Sequence, residues 1–321
     1  MPSLRPEPDS AQHLLVPFAS ASAPECRAAL GSLPLPNLSA LLDALTPLPL
    51  QGGGEHTLST PHERALASLL KLPTDDGRIP WAAAASAHPT QPQAWLAPCH
   101  FQVGMDQVTL LPADQIGLDA AESQALLAAL APFCAEDGIA LTFESAGRWL
   151  ATGEPLRGLA CASLDRVSGR SVADWTPAQG RDTLITRLQS EAQMLFYTHP
   201  VNDRREAARQ SIVNGFWVHG AGALTHAPQS IAPPAQPDGL RQAALRGDWS
   251  SWQQAWLALD SGVIAQALSQ VRAGKGFRLT LCGERQAQTW VHQPRRLGQR
   301  IGHFFHTLRG PAPAGKTLET L

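Results

Sequence analysis

The chain has 321 residues, 44% of them hydrophobic, enough to bury a large core; at about 150 residues per domain this allows one large unit or two. Charged residues make up only 16%, with 25 Lys and Arg against 27 Asp and Glu, so no global field draws the chain to nucleic acid or to an anionic membrane. The five cysteines stand singly with no C-x-x-C pair, which argues against a disulfide framework or a zinc ribbon, and no apolar stretch reaches the ~18 residues that span a bilayer. Arg outnumbers Lys by 22 to 3. A GC-rich coding sequence accounts for that skew, yet Arg is also the side chain shaped for bidentate capture of carboxylate and phosphate.

The polar arm Met1 to Gln12 carries Arg5, Glu7 and Asp9 and lacks the apolar core of a signal peptide, which points to a cytoplasmic protein. His13 to Ala19 then reads as a buried strand and Pro36 to Leu45 as a helix. Thr60-Pro61-His62-Glu63 is a helix start, with Thr60 as cap and Pro61 in the first turn, and the helix buries Leu66, Leu69 and Leu70. Phe101 to Leu111 reads as strand with a turn at Gly104 to Gln107, and Asp119 with Glu122 forms a capping box ahead of Ala125 to Phe133. Strand character resumes over Gly138 to Phe143. Thr176-Pro177 opens a further helix that ends before His199-Pro200, and Ile212 to Val218 reads as a strand bounded by Gly220 and Gly222.

Thr225 to Asp238, with four prolines, is the best linker. Beyond it Asp248 caps a helix whose Trp249, Trp252, Trp256, Leu259, Val263, Ala267 and Val271 recur at intervals of three and four, as a core-facing stripe requires. Gly274 ends it, Phe277 to Leu281 is a strand, and a last helix runs from Leu297 to Leu308. Strands alternating with helices give an α/β fold with a mostly parallel sheet in at least one part.

Cys99-His100 sits on a strand, where neighbours point to opposite faces and cannot converge on one atom. His199-Pro-Val-Asn-Asp-Arg-Arg205 is different in kind: an imidazole, an amide and two guanidinium groups at a helix end suit an anion, and a capped surface turn explains them equally well. Arg148, Arg166 and Arg170 add guanidinium groups in the same region. The chain has no G-x-G-x-x-G, Walker loop, H-E-x-x-H or G-x-S-x-G, so dinucleotide, nucleoside triphosphate, zinc-peptidase and serine-hydrolase readings lack their usual support.

ASLDRVSGR (162 to 170), RLQSEAQMLFYTHPVNDRRE (187 to 206), VNGFWVHGAG (213 to 222), TLSTPHERALA (57 to 67) and GRWLATGE (147 to 154) resemble the proteobacterial RpfE-type regulatory proteins, also described as phosphoglycerate-mutase-related. More distantly, His199-Pro200-Val201-Asn202-x-x-Arg205 followed by Asn214-x-Phe216-Trp217 is similar to archaeal-type cofactor-independent phosphoglycerate mutases of the alkaline-phosphatase superfamily. Asp119 to Leu130 followed by Gly147 to Leu150 resembles their inserted substrate domain, where an Arg-His pair stands at the positions of Arg148 and Trp149. Such enzymes use a Ser nucleophile and two divalent ions held by Asp and His. Where the resemblance places Asp-Gly after the opening strand, this chain has Leu14 to Ala19; where it places Asp-His after a late strand, it has Leu279 to Glu284. Ser59 falls only loosely at the nucleophile.

The resemblance implies a degenerate alkaline-phosphatase-like core sheet flanked by helices, residues 1–95 and 186–321, with an inserted smaller α+β domain at 96–185. It implies a regulatory protein without the two-metal site and with no cofactor, binding a small phosphorylated or carboxylated ligand through Arg148, Arg166, His199, Asn202 and Arg205; a further reading, from the tryptophans at 249 to 256, is a scaffold that recognises a protein partner through a Trp-rich surface. The alternative is an active mutase or phosphatase using two divalent ions such as manganese in a rearranged site drawn from His56, His62, Asp75 and Asp76.

Overall fold

A computed structural model describes residues 12–175, 183–292 and 313–321. Most of the N-terminal arm, the helix start at Thr176-Pro177 and the last helix expected at Leu297 to Leu308 lie outside the described residues. In chain order the elements are β1 (Gln12–Val16), α1 (Pro24–Ser32), α2 (Pro36–Ala44), β2 (Thr46–Pro47), β3 (Gln51–Gly52), α3 (Pro61–Leu69), α4 (Trp81–Ala85), β4 (Gln93–Val103), β5 (Val108–Pro112) and α5 (Ala120–Glu136). There follow β6 (Ala140–Ser145), β7 (Arg148–Thr152), α6 (Leu164–Val167), α7 (Thr183–Tyr197), α8 (Pro200–Ala207), β8 (Gly215–Gly222), α9 (Gly239–Leu245) and α10 (Trp249–Leu259). After a π turn (Asp260–Ile264) come α11 (Ala265–Arg272), β9 (Phe277–Cys282), β10 (Gln286–Val291) and α12 (Ala314–Leu318). The class is mixed α/β, two sheets flanked by helices. No helix among the described residues is long and apolar enough to cross a membrane.

Two compact units divide the chain: Met1–Glu55 with Pro61–Leu66 and Ala232–Leu321, and His56–Thr60 with Ala67–Ile231. The second division falls inside the proline-rich stretch 225–238. The second unit reaches beyond 96–185 on both sides, because β8 pairs along most of β4 and so binds the chain after 185 to the same sheet.

In the first unit β1 and β9 pair in parallel, β9 and β10 antiparallel, and the short β2 and β3 lie along β10. One sheet face buries Leu14, Val16, Leu279 and Leu281 against α1, α2 and α10. Across the other face His13 bonds the Thr280 hydroxyl (2.8 Å), which bonds Thr289 (2.8 Å). Asp248 accepts the Ser251 N–H at the start of α10, as the capping signal requires. Trp252 and Trp256 are fully buried and Trp249 packs half-buried against the same core, which fits the stripe. Val263 does not: it is 43% exposed and Ile264 is buried in its place. A π turn holds one residue more than an α turn, so the stripe slips by one position there. The turn also aims Asp260, 4% exposed, at the start of α2, where its carboxylate accepts the Leu38 and Asn37 N–H groups (2.7 and 3.3 Å).

In the second unit every named ladder is antiparallel. The long β4 carries β5 and β7 on one edge and β8 on the other, with β6 beyond β7. The expected mostly parallel sheet is therefore corrected: among the named strands the one parallel ladder is β1 with β9; the short β4–β5 and β6–β7 turns permit only antiparallel pairs, and β7 and β8 join β4 antiparallel from farther along the chain. The Gly104 to Gln107 turn and the Asp119/Glu122 capping box stand as expected, whereas β8 runs through Gly220 and Gly222 instead of stopping before them. Gly220 has φ +64 and a side chain there would meet Trp81 and Trp95, so glycine keeps the strand in place beside two indoles.

Candidate functional site

The residues that the sequence singles out for a ligand are largely taken up by the second unit itself. Asn202 is buried on α8, where its amide donates to the carbonyls of Phe196 (2.8 Å) and Val213 (2.7 Å) and accepts the Val213 N–H (2.9 Å). Arg205, one turn on and 1% exposed, pairs with Glu122 of the capping box and donates to the carbonyls of Ile116 and Ser211. Such a guanidinium has its charge balanced and its donors directed inward. His199 caps α8, its Nδ1 accepting the Val201 N–H (3.2 Å), and burial with the nearby Arg204 holds the imidazole below its usual pKa. These three sit together as a staple closing the α7–α8 and α8–β8 connections.

Arg148 lies elsewhere, its Nε on Glu144 (2.8 Å) and its guanidinium over the Trp95 ring (4.8 Å), with the side chain half exposed. Trp149 points the opposite way, fully buried, donating its indole N–H to Ser123 (2.8 Å). Arg166 is buried on α6, bonded to the Ser59 carbonyl (3.2 Å) and set over Trp175 (5.6 Å). Ser59 itself accepts the Gly77 N–H (2.9 Å), and Asp76 spends its carboxylate on the Leu58 and Ser59 amides (3.0 and 2.9 Å). Cys99 and His100 face opposite sides of β4 as expected: burial holds the Cys99 thiol well above its usual pKa, and His100 Nδ1 bonds the Ile212 carbonyl (2.9 Å).

A different place has the form of a binding site. In the first unit the carboxyl ends of the parallel neighbours β1 and β9 open on a cavity of about 460 Å³, walled by the loop after β1, helix α1, the β9–β10 turn and the residues after α12. Ligand crevices of α/β sheets lie at this end of parallel strands. The loop after β1 turns sharply: Phe18 has φ 52, a left-handed conformation that costs a residue with a Cβ roughly 1–2 kcal/mol and persists only where its surroundings enforce it. The enforcing contacts are polar as well as apolar. Trp252 donates its indole N–H to the Phe18 carbonyl (2.9 Å), Trp256 to that of Ala19 (3.2 Å), and the Ala19 N–H goes to the Cys282 carbonyl (2.8 Å). Gly283 has no room for a side chain, since a Cβ there would fall 2.5 Å from both Ser20 Oγ and the Leu321 backbone.

Four charged residues line this cavity: Arg27 on α1, Glu284 and Arg285 in the β9–β10 turn, and Glu319 after α12. Glu284 accepts the Ser22 N–H (2.7 Å) and Arg285 pairs with Glu55 (2.8 Å). Ser20, only 5% exposed, lines the cavity, and its hydroxyl makes no hydrogen bond among the described residues.

No family model matches the chain, and no curated protein matches it. Among solved structures it is similar to a cofactor-independent phosphoglycerate mutase from Thermoplasma acidophilum DSM 1728, at 13% identity over 89% of this chain and 90% of that one, with a TM-score of 0.37. It is also similar to the PH0037 protein from Pyrococcus horikoshii, at 12% identity over 88% and 87%, with a TM-score of 0.40.

Residue patterns did not single out Ser20 and Arg27, because neither belongs to a spaced motif. The segments Leu14 to Ala19 and Leu279 to Glu284, compared above with Asp-Gly and Asp-His stretches, lead into this neighbourhood, and their strands are bonded neighbours here. The one local signal is the run of small residues Ala19 to Ala23 after a buried strand, a composition that lets the backbone turn close to a ligand.

Proposed function

We propose that this chain is a phosphoglycerate-mutase-like regulatory protein that works without a two-metal centre and binds a small phosphorylated or carboxylated ligand at the strand ends of its first unit. The observation that carries the reading is the adjacency of β1 and β9 with a polar cavity at their carboxyl ends. These are the two segments at which the resemblance expects metal-holding carboxylates and imidazole, and the groups actually present suit divalent ions poorly. The Phe18 and Ala19 carbonyls are taken by indole N–H groups, the Cys282 thiol is fully buried with its pKa pushed far up by burial, and the Glu284 carboxylate is engaged by the loop amide of Ser22. Hard divalent ions need several oxygen ligands converging on one point. His62 packs its ring against Phe18 with centroids 5.5 Å apart, and Asp76 is committed to backbone amides.

Metal analysis of the purified protein, paired with a mutase assay in added manganese and calorimetric titration of phosphorylated and carboxylated metabolites, tests this reading. It expects binding of at least one such metabolite with neither stoichiometric metal nor turnover. Turnover that depends on manganese would replace it with the mutase reading.

A further inference from the structure

The cavity at the ends of β1 and β9 narrows the ligand further than its size does. At about 460 Å³ it lies within the ~300–1,000 Å³ typical of small-molecule sites, so volume alone admits many compounds. Charge is more selective. Among side chains, two guanidinium and two carboxylate groups line the walls; Arg285 is paired with Glu55 (2.8 Å), and Glu284 keeps its charge while accepting the Ser22 N–H (2.7 Å). Arg27 and Glu319 remain, and among the described residues neither side chain makes a hydrogen bond or ion pair. The Ser20 hydroxyl makes no hydrogen bond among the described residues, and on the same wall the buried Gln286 Oε1 has no partner among them either. A buried acceptor such as the Gln286 Oε1 left unbonded costs about 1–3 kcal/mol, which a ligand donor recovers.

A dianionic phosphate ester matches this wall badly, because its second charge would face Glu284 and Glu319 with only one uncommitted cation to offset them. A ligand with one charge of each sign matches it well. Resting on the ligand-binding reading above, we propose that the cavity takes a small zwitterion, an α-amino acid or a short peptide, with its carboxylate on Arg27 and the Ser20 hydroxyl and its ammonium group on Glu319. Arg suits the carboxylate end because its planar fork presents paired N–H donors to both oxygens. The residues after α12 wall the ammonium end, and Gly283 brings their backbone against Ser20, so the two charge sites belong to one continuous surface.

The test is calorimetric titration of the full chain with the free L-amino acids and with dialanine, each beside its N-acetyl and methyl-ester forms, with inorganic phosphate and 3-phosphoglycerate as parallel arms. At least one free zwitterion binds, and blocking either end weakens it at least tenfold. Arg27→Ala removes the penalty for esterification and Glu319→Gln the penalty for acetylation; both side chains are exposed, so the variants fold. Equal binding of blocked and free forms, or no binding by any zwitterion, overturns the proposal. If phosphate or 3-phosphoglycerate binds instead, the zwitterion is wrong and the ligand-binding reading stands; if neither class binds, both fall.

Discussion

Each unit is pinned by a buried polar device, and the two devices are built from opposite materials. In the second unit the charged pair Arg205 and Glu122 ties α8 to α5, with the Ile116 and Ser211 carbonyls taking further guanidinium donors. In the first unit the neutral indoles of Trp252 and Trp256 hold the carbonyls of the loop after β1. A buried ion pair exchanges a large desolvation cost for a large attraction, so it is dangerous to break and contributes modestly when intact. An indole N–H on a carbonyl has no charge to desolvate, so losing it costs only what a buried carbonyl left unbonded costs, and it leaves the surrounding charges uncommitted. The consequence is a division of labour: the arginine of the second unit is spent on the fold, while the cavity of the first keeps Arg27 and Glu319 for something else.

The contrast has measurable limits. Arg205→Ala strands Glu122 and leaves the Ile116 and Ser211 carbonyls without their donor, and is expected to cost about 3–5 kcal/mol in chemical denaturation; replacing Arg205 and Glu122 together with Met and Leu recovers only the part due to the stranded charge. A single variant that loses less than ~1 kcal/mol would show that the pair is not the pin. Trp252→Phe keeps most of the packing and leaves the Phe18 carbonyl unbonded, so a smaller loss of about 1–3 kcal/mol is expected, read from the same unfolding curves.

The mildest effect concerns the third polar device, the row His13–Thr280–Thr289 across the first sheet. Burial, with Arg278 adding to it, lowers the His13 pKa from 6.5 to about 4. The unfolded chain therefore takes up a proton at a pH where the folded chain does not. Stability is full above about pH 6.5 and falls as pH drops towards 4, and a His13→Gln variant has a flatter profile over that window. Thermal melts of both proteins between pH 7 and pH 4 decide it; identical slopes would remove His13 from the account.

Much of the local structure was legible. Asp119 with Glu122 and Asp248 mark helix starts because a cap is a matter of two or three residues, and the turn at Gly104 to Gln107 and the break near 231 follow from local composition. Ladder direction was not legible, because β4 carries partners on both edges and pairing is decided by strands far along the chain. Helix α1 was missed since its apolar positions are few, Cys26, Ala29 and Leu30, and strand β10 because Gln286 to Val291 alternates weakly. Val263 was misassigned because a π turn cannot be seen in a three-and-four spacing. At the site level, the guanidinium cluster between 148 and 205 was visible while its partners were not: Glu122 reads as a capping residue and nothing in the sequence says that it also receives Arg205.

The carboxylate of Asp260 at the start of α2 has a consequence for the order in which the chain can be completed. The cap and the helix it serves are 222 residues apart, and β1 likewise finds its parallel neighbour strand in β9, with an isolated parallel bridge to Ala235 besides. On the ribosome, then, α2 and β1 wait for residues made more than 200 positions later, while every named ladder of the second unit can close in between. The opening strand, apolar at Leu14 to Val16, waits for a partner strand made far later, and so is one that a growing chain has need to keep from pairing elsewhere.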